Sequence, residues 1–276
     1  MKRLALPRPG AAAVVSVLSL ALVTGCSDSG SDSVSDKDDK AAGKEPAAAA
    51  KTLSESELEK LIIATADVKG FKVGEADQSD QFASSKKEIK VDDEKCKPVT
   101  YVLTGFAPGD SAASVNRMAQ EDPTAKATAS PTKDLEDMTE EEMEDAMNSI
   151  TDALGSTVTL VALSSYEGDG AKETMSSLSA AIEGCGGGFT ATAKDEPQKF
   201  KKVEAEKASG NGDESLAFAV TADSEGSPVV HAEVARHGST IATYYSISMA
   251  AFADDAKVSD YDVPADLIKA QTAKLG

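Results

Sequence analysis

From residue 189 to residue 248 the chain alternates apolar and polar residues in five successive runs, 189–193, 200–205, 216–222, 229–236 and 239–248. A period of two repeated this often leaves few folds open, because each run buries one side of a strand and wets the other. Asp223-Ser224-Glu225-Gly226 and His237-Gly238 have the composition of hairpin turns. The second reads as a two-residue loop with glycine where a positive φ is needed. The stretch therefore predicts a meander of five antiparallel strands. Ile241, Thr243, Tyr245 and Ile247 fall on one face of the last strand, and Leu216, Phe218 and Val220 share a face two strands earlier. Those faces need cover. A helix over 170–184, with Met175, Leu178 and Ile182 on one side, and a helix starting near Pro264, with Leu267, Ile268, Gln271 and Leu275, are placed to supply it.

Upstream, Ser54 and Glu57 form a capping box before Leu58, Leu61, Ile62 and Ala66, which recur at helical spacing. Gly70-Phe71-Lys72-Val73 reads as a stop followed by a strand, 88–91 as a short strand, and Cys96-Lys97-Pro98 as a helix start with Val99, Val102 and Leu103 as its apolar side. Gly105 to Gly109 ends that helix. Residues 120–133 have no period and read as a surface loop. Thr139-Glu140-Glu141-Glu142 then opens a helix through Met143, Met147, Ile150 and Leu154, so 120–155 is an insertion carrying an acidic helix. The acids between Asp134 and Asp145 are read as a solvated face that complements the helix dipole, with cation binding as the alternative. Residues 157–164 (TVTLVALS) form one more strand. The fold class is α+β: one domain over 52–276, an antiparallel sheet of five or more strands packed with helices.

The N-terminus assigns the compartment. Lys2, Arg3 and Arg8 precede an apolar run from Ala11 to Val23, and Leu22-Val23-Thr24-Gly25-Cys26 has the form of a bacterial lipobox. Thirteen residues of helix reach roughly 20 Å, against roughly 30 Å of hydrocarbon in a bilayer. An uncleaved spanning anchor is excluded by length; an ordinary secretory signal without lipidation is the other alternative. The expectation is a signal peptide over 1–25, a diacylglycerol thioether on Cys26, and a disordered Ser/Asp/Gly/Ala-rich tether over 26–51. Removing 1–25 takes away three basic residues and no acid, so the formal charge moves from −19 to −22. Such a charge repels phosphate backbones, so nucleic acid is excluded as a partner. It also opposes an anionic membrane surface, which leaves the lipid to hold the protein on the extracytoplasmic face of the cell membrane.

With Cys26 assigned to lipid, Cys96 and Cys185 remain as an even pair in an oxidising setting. A disulfide is the reading that fits best; two buried thiols or half a metal site are the alternatives. Neither cysteine has the CxxC neighbour or nearby histidine of a zinc site.

Several landmarks resemble a known group. Leu61-Ile62-Ile63-Ala64-Thr65-Ala66-Asp67-Val68-Lys69-Gly70-Phe71 after a lipoprotein tether, a cysteine before a Pro-bearing helix, and Ser164-Ser165-Tyr166 before a helix ending in Cys185 are three. Gly212-Asp213-Glu214 leading into a strand, and Arg236-His237-Gly238-Ser239-Thr240 at a hairpin, are two more. Over roughly 52–276 the chain is similar to actinobacterial lipoproteins and to the extracellular sensor domain of PknH-type receptor kinases. The resemblance implies a sheet sandwiched by helices, of the broad Mog1/PsbP-like architecture, with disulfide reinforcement. It carries no ligand or catalytic residue across.

No GxSxG elbow, HExxH, P-loop or strand-linked GxGxxG is present. Gly184-Cys185-Gly186-Gly187-Gly188 reads as a helix stop. Among the few candidates for chemistry, His231, Glu233 and His237 have odd spacing on a predicted strand and fall on one face, with Glu233 about 7 Å from His231. They are ligand-binding candidates. A solvent-facing polar row is the favoured reading, because Val230, Ala232 and Val234 take the opposite face and His237 sits at a turn. No metal or cofactor is expected. The function expected is a non-catalytic binding or sensing module for a cell-envelope protein or small ligand; the alternative is an envelope hydrolase or transferase with an unrecognised carboxylate site.

Overall fold

A nine-stranded sheet runs in the order β1-β3-β4-β9-β8-β7-β6-β5-β2. The computed structural model describes residues 51–76, 83–122, 139, 143, 157–224, 228–252 and 261–276, and the sheet belongs to a unit spanning 48–276. Its strands are β1 (Phe71–Gly74), β2 (Lys90–Val91), β3 (Ala113–Glu121), β4 (Thr157–Ser165), β5 (Phe189–Ala193), β6 (Glu196–Glu206), β7 (Glu214–Ala222), β8 (Val229–His237) and β9 (Thr240–Ser248). Among the described residues the α-helices are α1 (Glu55–Leu61), α2 (Lys97–Leu103), α3 (Gly170–Gly184) and α4 (Ala265–Leu275). Every neighbouring pair is antiparallel. The domain is a single α+β unit.

The predicted meander is the heart of the sheet. Strands β5 to β9 pair consecutively, and β4, β3 and β1 continue the sheet beyond β9. Moving from β4 to β5 crosses five strand spacings, about 24 Å, and α3, with 15 residues, is about 22 Å long. The helix therefore bridges the meander it covers. On that face Val99, Met175, Leu178 and Ile182 from α2 and α3 pack on Phe218, Val220, Val234 and Ile241. On the opposite face α1 and α4 pack Leu58, Leu267 and Ile268 on Val115, Val161, Leu163 and Tyr244. Alternation along β9 explains the division, since Ile241 and Tyr244 point to opposite sides.

Cys96 precedes α2 and Cys185 caps the C-terminus of α3, and the two are joined by a disulfide with Cα atoms 5.9 Å apart. Both are buried. The bridge ties the two helices of one face together. Three hydrogen bonds hold the beginning of the domain to one end of the sheet: Ser239 Oγ donates to the Lys51 carbonyl at 2.6 Å, Thr52 Oγ1 to the Tyr166 carbonyl at 3.1 Å, and the Leu53 amide to Ser165 Oγ at 2.7 Å. At the two sheet margins side chains engage the strand backbone. Thr65 Oγ1 accepts from the Val73 amide at 2.9 Å and donates to its carbonyl at 3.0 Å, while Asp92 Oδ1 accepts from the Thr190 amide at 2.9 Å.

Several expectations change. α1 ends at Leu61, and Ile62 is extended, so Ala66 sits in a short 3-10 turn and not on the helix. The Ile63 amide, which would continue the helix, instead donates to Gln271 Oε1 at 3.0 Å. The strand expected over 88–91 contracts to Lys90–Val91 after a 3-10 turn at Lys86–Glu88. β3 was not anticipated: among its residues only Val115 and Ala119 are buried, too sparse an alternation to register as a period. β6 begins at Glu196, ahead of the apolar alternation, because its first residues stay exposed even where they pair with the buried Ala191 and Ala193 of β5. The β5–β6 turn has no glycine; Lys194 and Asp195 carry φ of 51° and 62°. At the β8–β9 turn the loop residues are Gly238 and Ser239, with His237 paired to Thr240 and Gly238 at φ 61°. The signal peptide, Cys26, nearly all of the tether, the Glu225-Gly226 part of the predicted turn and most of the 120–155 insertion lie outside the described residues. Within the insertion, the Met143 amide donates to the Thr139 carbonyl at 2.9 Å, the spacing of a helical turn.

Candidate functional site

Past β9, the face that carries α1 and α4 continues over β8, β7 and β6 with polar side chains. Val230, Ala232 and Val234 turn to the α2–α3 side, so alternation sends His231 and Glu233 to the other. His231 lies opposite Ala219 on β7, and Glu233 opposite Ala217, while Glu206 on β6 flanks Ala217 from the far side. Both β7 residues between the two outer strands are alanines. With only a methyl group there, side chains from β6 and β8 reach each other across β7.

They meet. His231 Nδ1 lies 3.0 and 3.1 Å from the two carboxylate oxygens of Glu206. Asp262, just before α4, places Oδ1 4.0 Å from the same nitrogen. The donor atoms of Glu206, His231 and Asp262 all lie within 4.8 Å of one another. Tyr261 stands edge-on to the imidazole with centroids 4.9 Å apart, and its hydroxyl donates to the Val229 carbonyl. Burial pushes the Tyr261 pKa up to about 12, so it remains a hydroxyl donor and a fixed wall against the ring. His231 is mostly covered, its side chain 15% exposed, whereas Asp262 is 91% exposed. The trio is a surface cluster of one mostly covered imidazole and two carboxylates, open on its outer side.

The three sequence candidates do not form one site. Glu233 is 5% exposed, and its carboxylate accepts the Ser209 amide at 3.2 Å and the Ser209 hydroxyl. The expected solvent-facing row is therefore corrected: the 207–213 connection folds over Glu233 and supplies donors for its buried charge. Tyr244, opposite Glu233 on β9, has its pKa raised by burial first and by the Glu233 charge second. His237 stands at the other end of β8, six residues or about 20 Å from His231. There Asp213 accepts the Gly238 amide at 2.8 Å and Arg236 Nη1 at 2.9 Å, and its pKa is lowered, chiefly by the Gly238 amide. His237 Nε2 is buried with no hydrogen-bond partner among the described residues, and burial lowers its pKa. That end serves the turn, next to where Ser239 grips Lys51. Cys26 lies outside the described residues.

Glu206 and Asp262 escaped the sequence reading. They stand 25 and 31 positions from His231, so no local spacing links them. The usable signal was the reach of β6: extending that strand by one residue, from 205 to 206, places a carboxylate beside Ala217 and diagonal to His231.

No protein-family model matches the chain, and no curated protein does. Among solved structures, it is similar to the extracellular domain of PknH from Mycobacterium tuberculosis. The likeness has a TM-score of 0.44 and 11% sequence identity, and covers 82% of this chain and 95% of that one. A putative uncharacterized protein from Mycobacterium smegmatis is similar with a TM-score of 0.34 and 13% identity, over 75% of this chain and 90% of that one. No residue role passes from either. Among the described residues, no helix is long and apolar enough to cross a membrane.

Proposed function

We propose that the chain is a lipid-anchored extracytoplasmic protein whose 52–276 domain is a non-catalytic binding or sensing module for a cell-envelope ligand or partner. The observation that carries this reading is the Cys96–Cys185 bridge. Structural disulfides belong to oxidising compartments, and the basic, apolar and lipobox-like segments ending at Cys26 supply a route to one. Once Cys26 takes lipid, the cysteine arithmetic closes.

Four surface aspartates are held by structural partners and are not candidates for a carboxylate catalyst. A general acid needs a carboxyl raised in pKa. Asp67, Asp93, Asp169 and Asp213 are all shifted the other way, the first three mainly by lysine partners and the last by the Gly238 amide. These are the shifts of surface structure.

Two experiments test the reading. Cys26→Ala is expected to abolish incorporation of a labelled acyl chain and to release the protein from the membrane fraction; unchanged labelling and retention overturn the anchor. Crosslinking of the tethered protein in its own envelope, with mass spectrometry of captured proteins and small molecules, is expected to recover a reproducible companion. Recovery of none overturns the module.

A further inference from the structure

We propose that Glu206, His231 and Asp262 form a divalent transition-metal site of the zinc class. This goes beyond the module reading and depends on neither the anchor nor a partner. The first support is chemical. One imidazole nitrogen with carboxylate oxygens is a donor set that suits Zn²⁺ and its neighbours, whereas Ca²⁺ and Mg²⁺ select oxygen donors alone.

Geometry is the second. Zinc bonds of about 2.0–2.2 Å to nitrogen and oxygen put tetrahedral donors about 3.3–3.6 Å apart. The observed separations from His231 Nδ1, 3.0 Å to Glu206 and 4.0 Å to Asp262, bracket that value. The residue that must move, Asp262, is the most exposed of the three. Closing the set takes about 1–1.5 Å of motion by a side chain with room to make it.

The third is charge. Among the described residues, the ion pair that each of these carboxylates makes is with His231. The two carboxylates lie within 4.8 Å of each other, and a dication between them relieves their repulsion. The ring is also held ready: the Tyr261 edge fixes its plane, and the alanine floor of β7 keeps the approach from Glu206 clear. Three protein donors leave a fourth position to water, the arrangement of an open zinc site.

The test is calorimetric titration of Zn²⁺ alone into the full-length chain carrying Cys26→Ser, which removes the remaining thiol, after treatment with chelator. One saturable site per chain is expected, weakened at least tenfold by Glu206→Gln, by His231→Gln and by Asp262→Asn. Because His231 is mostly covered, its variant is checked by circular dichroism; the exposed Asp262 gives a variant that leaves the fold undisturbed. Absence of a saturable site overturns the proposal. So does multisite binding that Asp262→Asn leaves unchanged, which marks diffuse attraction to an acidic surface. Equal competition by Ca²⁺ overturns the zinc class.

Discussion

Gln271 on α4 hydrogen-bonds both sides of the break that ends α1: its Oε1 accepts the Ile63 amide at 3.0 Å and its Nε2 donates to the Leu61 carbonyl at 2.9 Å. The side chain is fully buried. Replacing it with leucine keeps the volume and leaves a buried N–H and a C=O unpaired. Gln271→Leu is expected to lower stability by about 2–4 kcal/mol, since each orphaned group costs about 1–3 kcal/mol. Urea unfolding followed by circular dichroism checks it; a loss under about 0.5 kcal/mol would mean the pairing is dispensable.

The Cys96–Cys185 bridge closes a loop of 89 positions. In the chain-entropy model such a crosslink stabilises by about 4–5 kcal/mol. The Cys96→Ala, Cys185→Ala double variant is expected to lose about 2–5 kcal/mol in chemical denaturation. Reductant should destabilise the parent similarly and leave the double variant unaffected; equal response of the two would refute the bridge as the source.

Gly188 separates the disulfide from β5. It has φ +87°, and a Cβ there would lie 2.3 Å from the Phe200 carbonyl oxygen. Backbone, not a movable side chain, occupies the space. Gly188→Ala is expected to cost about 2–4 kcal/mol, whereas Gly187→Ala, with nothing within 4 Å, stays within about 0.5 kcal/mol. Thermal unfolding of the pair distinguishes them, and equal midpoints would sink the steric argument.

His237 gives a pH dependence of defined sign. Burial lowers its pKa below the ordinary 6.5, so the unfolded chain takes up this proton more readily than the folded one. Its contribution is complete above about pH 6.5 and is lost as pH falls through the folded pKa. Relative to His237→Gln, the parent should lose denaturant resistance as pH falls below about 7. A parallel pH response in the two proteins would exclude His237 as its source.

What the sequence reveals of this fold follows the strength of its periods. The 189–248 meander, α3, and α4 with Gln271 in its buried stripe were legible, because alternation and helical spacing there are dense. β3 was not, with two buried residues in nine. Nor was the Lys194-Asp195 turn, where two-residue hairpin geometry imposes positive φ on residues that do not favour it. The site shows the same limit. His231 was singled out by its place on a strand, but its companions arrive through register across β7 and through the approach to α4, and both are tertiary relations. Glu233 misled because alternation predicts a face and is silent about a connecting segment that folds over it.

The hydroxyl of Thr65 on Val73 has a consequence for association. An open sheet offers its outermost N–H and C=O groups as a template for a second molecule's strand. Here one outer strand spans four residues and the other two, and on the first Thr65 occupies both backbone groups of Val73. Beside the second, Asp92 takes the Thr190 amide. A sheet nine strands wide thus ends in two short strands, on one of which Thr65 already holds both backbone groups of Val73, which leaves little template for edge-to-edge pairing.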